Sequence, residues 1–146
     1  MFEQNIIPNQ PATPQGSWIS FEFIPIEEVS QFIPVGGKCL ITLNRDFRKI
    51  AVHDIENQSS QQDDLSYSHS ITAHIALRST AAHGILNAMA AGGRYIVRLT
   101  DWSGTREIFG TPECPLRFTW SDSSSPEELT TLTFAGETLQ PSLVQM

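Results

Sequence analysis

The sequence is poor in charged residues and contains no long apolar run. Charged residues make up 17% of the 146 positions, against about 25% in an average soluble domain. Every apolar stretch is far shorter than the ~20 residues of a membrane-spanning helix, so no membrane partner is expected. The formal charge of −7 disfavours a nucleic acid partner, because a phosphate backbone is repelled unless the few Lys and Arg gather on one face.

Cysteine is also scarce. Only Cys39 and Cys114 are present, and no C-x-x-C or H-x-x-x-H pair accompanies them. The spacing that a zinc site requires is therefore missing, and we expect no metal. The start "MFEQNIIPNQ" lacks the basic and apolar regions of an export signal. We therefore expect a reducing, cytoplasmic setting with both thiols unpaired.

Motifs for nucleophilic or phosphate chemistry are missing as well. Ser68 and His69 are adjacent on a predicted strand, so their side chains point to opposite faces and cannot form a catalytic pair. The glycines of "AAGGR" follow a helix, whereas a phosphate loop precedes one. We predict no catalytic residue, no cofactor and no enzymatic activity.

The four histidines do not form a recognisable metal set. His69 and His74 have opposite parity on one predicted strand, so they lie on opposite sides of the sheet. His53 and His83 fall on another strand and on the predicted helix. The sequence favours four unrelated histidines, with His69 hydrogen-bonded near the core.

The length suits one domain. Residues 1–17 are rich in Pro, Gln and Asn, and we predict a flexible N-terminal arm there. Residues 18–146 are predicted to form a single β-rich domain. The polar stretch 56–64 is expected to be an exposed loop.

The clearest strand signal is "LSYSHSITAHIAL", residues 65–77, which alternates between apolar and polar positions. Its apolar side carries Leu65, Tyr67, Ile71, Ala73, Ile75 and Leu77, and its polar side carries Ser66, Ser68, Ser70, Thr72 and His74. One face is thus predicted to be buried and the other exposed to solvent, as in antiparallel sheets.

One helix is predicted near residues 80–91. The stretch "STAAHGILNAMAAGG" places Ile85, Leu86 and Met89 on one face. Gly92 and Gly93 supply the C-terminal stop. Elsewhere "IEEVSQFI" could form a helical turn or two, and "KCLITLNRDFRKIAVHDI" is typical of two strands joined at "NRDF".

The segment "RYIVRLTDWSGTREIFGTPECPLRFTW", residues 94–120, predicts a hairpin followed by a further strand. Asp101 and Gly104 suit the turn between the first two strands. Trp102 falls in that turn, and an exposed Trp at a loop tip is typical of a contact residue. The candidate interaction residues are Trp102, Arg106 and Trp18.

Together these signals predict an α+β fold, mostly antiparallel β, built as a sandwich or small barrel with one helix. The pattern "DxxG", "IFGTPE", "PLRF" and "LTFAGET", across residues 79–143, resembles small virion and tail-associated structural proteins of bacterial prophages. That resemblance implies a non-enzymatic, self-assembling or partner-bound role, found first in the cytoplasm of a bacterial host and then in the virion.

Two other functions stay open. A small-ligand-binding β-barrel could use the face of Tyr67, His69 and Ile71 as its lining. An enzyme with a cryptic site would need one of the four histidines.

Overall fold

The computed structural model describes residues 18–52, 54–61, 66–75, 80–122 and 130–146, with residues 80–83 described by their backbone only. The predicted arm 1–17 lies outside these residues. The strands are β1 Trp18–Pro25, β2 Val29–Val35, β3 Lys38–Leu43, β4 Arg48–Ile50, β5 Asp54–Gln61, β6 Tyr67–Ile75, β7 Arg94–Asp101, β8 Arg106–Phe109, β9 Leu116–Asp122, β10 Thr130–Thr138 and β11 Leu143–Gln145, and the helix α1 is Thr80–Ala90.

Within the described residues the strands form one mixed sheet in the order β2-β3-β11-β8-β7-β9-β10-β6-β5, with β1 on the other edge of β7 and β4 beside β1. Only the β3–β11 pairing is parallel among those described. The sheet is not closed into a barrel. The predicted α+β, mostly antiparallel class with one helix is confirmed.

The central strand is β7, which divides the sheet into two wings. Residues 97–100 of β7 pair with β8, and residues 94–95 pair with β9. The first wing is β9, β10, β6 and β5, and the second wing is β8, β11, β3 and β2. Because both faces of β7 are covered, residues 95–99 are all buried, and Arg98 is buried along with its apolar neighbours.

The larger core lies between β1 and β7 on one side and the first wing on the other. Phe134 of β10 is its centre, with ring centroids 5.6 Å from Phe21, 5.7 Å from Phe23, 5.7 Å from Tyr95 and 4.9 Å from Phe118. Such tilted and edge-on contacts are favourable geometries for aromatic pairs. This core holds β10 over β1 as in a sandwich.

The helix closes one end of the larger core. Leu86 and Met89 are fully buried in it, and the Trp120 indole of β9 donates to Asn87 Oδ1 at 3.2 Å. Gly92 ends the helix at φ +100°, a conformation that favours glycine. The predicted helix and its stop are confirmed.

A second core lies on the opposite face of β1 and β7, against the second wing. It contains Ile24, Cys39, Phe47, Ile96, Ile108 and Leu143. Arg98 enters this core, and its guanidinium bonds to both carboxylate oxygens of Glu22 at 3.0 and 2.8 Å. It also stacks over the Phe47 ring at 4.1 Å and donates to Gln145 Oε1 at 3.0 Å. One buried charge thereby joins β1, β7, β11 and the segment before β4.

Residues 54–61 form strand β5, so the loop predicted for 56–64 is wrong over residues 56–61, and residues 62–64 lie outside the described ranges. β5 pairs with β6 along its whole length, from Asp54–His74 to Gln61–Tyr67. Its polar composition suits an edge strand, since most of its residues are exposed. Backbone pairing with β6 outweighs the weak strand propensity of Gln, Asn and Ser.

Of two further local predictions, one holds in part and the other is wrong. The helical turn predicted within "IEEVSQFI" is present as one 3₁₀ turn over residues 26–28, and the rest of that segment is strand β2. Gly36 and Gly37 therefore join β2 to β3 in a hairpin. The segments on either side of "NRDF" do not pair with each other, because β4 pairs with β1 instead. This pairing buries Ile50 in the larger core, and no local signal encodes it.

Candidate interaction surface

An exposed apolar cluster crosses three strands of the second wing, and we call it the outer face: Ile33 and Val35 of β2, Leu40 of β3, and Met146 after β11. Their relative exposures are 38%, 58%, 46% and 59%. Ile33 lies directly opposite Leu40, and the Met146 N–H donates to the Cys39 carbonyl at 3.0 Å. That bond continues the parallel register of β11 and places Met146 beside Leu40.

The outer face is the continuation of the sheet side that carries the larger core at β1 and β7. Over β2 and β3 its side chains are exposed, although apolar residues persist there. Solvent-exposed apolar residues that are contiguous across strands mark interaction sites more often than scattered ones do. The outer face is therefore the main candidate for a contact surface.

The free edge of β2 is less suited to contacts than its face. Val35 and Lys38 close a two-residue turn, so the next pair, Pro34 and Cys39, directs its backbone groups away from the hairpin. Cys39 accordingly bonds to β11, whereas Pro34 faces the edge without an N–H donor. A proline at an edge opposes the addition of another strand. A partner is thus expected to pack on the side chains of the outer face.

The turn between β7 and β8 is rigidly built around Asp101. Its Oδ1 accepts hydrogen bonds from Ser103 N at 2.9 Å, Ser103 Oγ at 2.6 Å and Thr105 N at 3.0 Å. These bonds, led by the Ser103 hydroxyl, hold the pKa of the Asp101 carboxyl below its usual value. Gly104 takes φ +91°, which completes the predicted turn.

The three predicted interaction residues meet at one end of the sheet but differ in exposure. Trp102 is 62% exposed at the hairpin tip, and Arg106 is exposed on β8 opposite Thr100. Trp18 pairs with Asp101, and its ring packs edge-on against Phe109 at 6.5 Å. Trp102 and Arg106 are thus presented to solvent, while Trp18 is partly buried and supports the hairpin.

A cleft of about 300 Å³ lies between β2 and the segments 111–114 and 139–140. It is lined by Val29, Ser30, Gln31, Phe32, Pro34, Thr111, Pro112, Glu113, Cys114, Leu139 and Gln140. Reciprocal backbone bonds of 3.1 Å between Thr111 and Cys114 shape its far wall. The lining combines amide, hydroxyl and apolar groups with the Glu113 carboxylate, a mixture that suits a small ligand.

The histidine predicted near the core, His69, lies in a chain of hydrogen bonds that joins three strands. The Thr138 hydroxyl donates to the Gln140 carbonyl, so its oxygen accepts from His69 Nε2–H at 2.9 Å. His69 Nδ1 lies 2.8 Å from the Ser59 oxygen, and the Ser59 hydroxyl also donates to Asn57 Oδ1 at 2.9 Å. His69 is 2% exposed and packs edge-on against Phe109. It is a structural residue that links β5 through β6 to β10.

The location of His69 predicts a pH effect on stability. Burial lowers the pKa of His69 below its ordinary 6.5, although the Gln140 carbonyl partly opposes this. The unfolded chain therefore binds the extra proton first, and the free energy of unfolding falls as the pH drops below about 6.5. Urea unfolding at pH 7.5 and 5.5 should show a smaller loss in His69→Gln than in the wild type. Equal losses of unfolding free energy in the variant and the wild type would contradict this prediction.

His74 takes part in a structural contact, and neither cysteine forms a disulfide. His74 Nδ1 contacts Asp54 Oδ1 at 2.5 Å across β5 and β6, on the face opposite His69. The two cysteines are free, and burial raises the pKa of Cys39 to about 11, which makes its thiol unreactive. No group of three metal-ligating side chains occurs within the described ranges. His53 and the His83 side chain lie outside them.

The face of Tyr67, His69 and Ile71, considered as a ligand lining, is packed into the larger core, since His69 and Ile71 are buried.

The sequence alone did not lead to a prediction of the outer face. One signal was available in "KCLITL". Its residues Cys39, Ile41 and Leu43 define the inner side of the strand, so Leu40 is an apolar residue on the opposite, outer side.

In the part of the chain that the structure describes, no helix has the length and apolarity needed to cross a membrane. Comparison of the chain with protein-family models, with curated proteins and with solved structures gives no match to any of them.

Proposed function

We propose that this chain is a non-enzymatic structural protein that acts through contacts with itself or with other virion proteins. The observation that carries the proposal is the outer face, where four apolar side chains lie exposed and contiguous on the second wing. A contact surface of this kind needs no catalytic residue or cofactor, and the buried charges described above are used to hold the fold together.

The resemblance of residues 79–143 to prophage virion proteins supports a place in the tail or the head–tail region. The rigid hairpin with exposed Trp102 also supports it, because a preorganised aromatic tip loses little conformational entropy when it binds. Arg98 belongs to a buried ion pair and adds nothing to a basic surface, which further disfavours a nucleic acid partner. In this proposal the protein folds in the host cytoplasm and then enters the virion.

The first test is the replacement of Leu40 by glutamate. A charge in the middle of the outer face should reduce the mass of the assembled protein, because burying it in a contact is costly. The residue is 46% exposed, so the melting temperature should change little. Light scattering after size exclusion measures the mass, and negative-stain imaging shows whether the wild type forms rings or tubes.

Thr119→Glu is the matched control. Thr119 is exposed on β9 of the first wing, and its replacement should leave assembly unchanged. If Leu40→Glu assembles as the wild type does, the outer face is not the contact surface.

The cleft beside β2 supports a second candidate function, the binding of a small ligand. In this case a ligand should raise the melting temperature of the wild type, because it binds only the folded state. Replacing Leu139 by aspartate at the cleft rim should abolish that shift. A screen of small compounds without any stabilising hit would count against this function.

A further inference from the structure

We propose that β5 is a second contact surface, at which two copies of this chain pair edge to edge and continue the sheet from one subunit into the other. The two-fold axis of this pairing stands perpendicular to the sheet and passes through the row of Asn57. The contact is separate from the outer face, so it extends the proposed function and does not depend on that surface. Like most soluble homodimers, it uses the same patch on both subunits.

The contrast between the free edges of the sheet carries the inference. Among the described strands, β2, β4 and β5 each have a free edge. β4 is only three residues long, and β2 carries Pro34 and a register shift between Val29 and Gln31. Short length, proline and irregular register all oppose the addition of another strand. β5 has none of these, because it pairs with β6 in one unbroken register over eight residues and contains no Pro, Lys or Arg.

A second strand has room beside β5. In the part of the chain that the structure describes, only β6 runs along it. Asn57 and Ser59 lie on the core side of β5, because they pair with Ile71 and His69, yet Asn57 is only partly buried and Ser59 is exposed. The opposite layer of the sandwich therefore recedes from this part of β5, and a two-fold axis perpendicular to the sheet keeps both cores on the same side of the joined sheet.

The side chains of β5 specify an antiparallel register. When Asn57 lies on the axis, Glu56 lies opposite the partner's Gln58, and the same pair recurs on the other side of the axis. Glu56 and Gln58 are both exposed, and the Gln58 amide is a donor that matches a carboxylate. An Asn side chain both donates and accepts, so Asn57 is able to pair with its own copy. Parallel pairing would instead set Glu56 beside the partner's Glu56, and like charges directly opposite each other are destabilising.

Exchange of the two paired side chains tests the register. All variants are made in the Leu40→Glu background, which takes the outer face out of the association. Gln58→Glu should then weaken self-association about tenfold, because it creates two contacts between like charges per dimer. The further exchange Glu56→Gln/Gln58→Glu should return to within about threefold of the background, since donor and acceptor have only changed places.

Sedimentation equilibrium gives the dissociation constants. Thr119→Glu in the same background controls for the added negative charge and should leave association unchanged. Melting curves should coincide, because residue 58 is exposed. If the exchanged variant associates as weakly as Gln58→Glu alone, the proposed register is wrong.

Cross-linking locates the axis independently of charge. Residues on a two-fold axis meet their own copies, so Asn57→Cys, made with Cys114→Ser, should give a covalent dimer with a short bismaleimide. Cys39 is buried and does not compete for the reagent. Thr119→Cys in the same background should stay monomeric. A failure of Asn57→Cys to cross-link while the protein is dimeric would exclude this axis.

These outcomes separate the β5 contact from the outer face. If Leu40→Glu lowers the assembled mass to that of a dimer, and Gln58→Glu weakens that dimer, both surfaces are in use. If Leu40→Glu is a monomer at every concentration tested, β5 does not pair, and the proposed function depends on the outer face alone. If Leu40→Glu assembles as the wild type does while Gln58→Glu dissociates it, the β5 contact stands and the outer face is not a contact surface.

Discussion

Replacing Phe134 by alanine is expected to lower the free energy of unfolding by about 3–5 kcal/mol. Phe134 is fully buried, and its ring contacts four other aromatic rings contributed by β1, β7 and β9. Its removal leaves a cavity that these rigid rings cannot fill by small movements, so both the transfer free energy and the cavity term are lost. For a chain of this size the melting temperature should fall by roughly 10 °C or more.

Two further variants serve as comparisons for the loss of stability in Phe134→Ala. Phe134→Leu keeps most of the volume and should lose clearly less, because volume-conserving changes are tolerated best. Thr133→Ala on the other side of β10, where the residue is partly exposed, should change stability by no more than about 0.5 kcal/mol. Urea unfolding followed by Trp fluorescence measures all three. A loss below about 1.5 kcal/mol for Phe134→Ala would show that β10 is not held over β1 by these rings.

The second large effect is expected at the buried ion pair of the second core. Arg98→Met should cost about 3–5 kcal/mol, because it leaves the Glu22 carboxylate buried without its partner. The side chains of Arg98 and Glu22 are only 10% and 16% exposed, so water cannot replace the lost bonds. The Gln145 amide also loses its guanidinium donor, and β11 should loosen as a result.

The double variant Glu22→Leu/Arg98→Met distinguishes a lost charge pair from lost packing. When both charges are removed together, most of the loss should be recovered, since apolar replacement of a buried pair is often neutral. Arg106→Met, at an exposed position, serves as the control. If the double variant is as unstable as Arg98→Met, the stacking of the guanidinium on Phe47 matters more than the charge pairing.

The second core also matters for the proposed contact. The outer face is formed on the back of the strands that cover this core, and Gln145 lies one residue before Met146. A variant that loosens β11 should therefore weaken self-association as well as stability. Melting curves have to accompany every association measurement at the outer face.

The sequence by itself determined the local periodicities. Alternation in residues 65–77 gave β6 with the correct buried side, including His69 on the apolar face. Ile85, Leu86 and Met89 gave the helix, and Asp101 with Gly104 gave the turn that presents Trp102. Each of these depends on neighbours within a few positions, because side-chain direction repeats every two residues in a strand and every 3.6 in a helix.

Only the tertiary structure decided which strands pair and which faces remain exposed. Polar residues 54–61 became a strand because β6 offered a backbone partner, and Ser59 thereby reached His69. Leu40 and Met146 became neighbours through the short parallel pairing of β3 with β11, which joins distant parts of the chain. Such contacts depend on how the whole chain closes its loops and fills its cores, so no local pattern could have indicated the outer face as one surface.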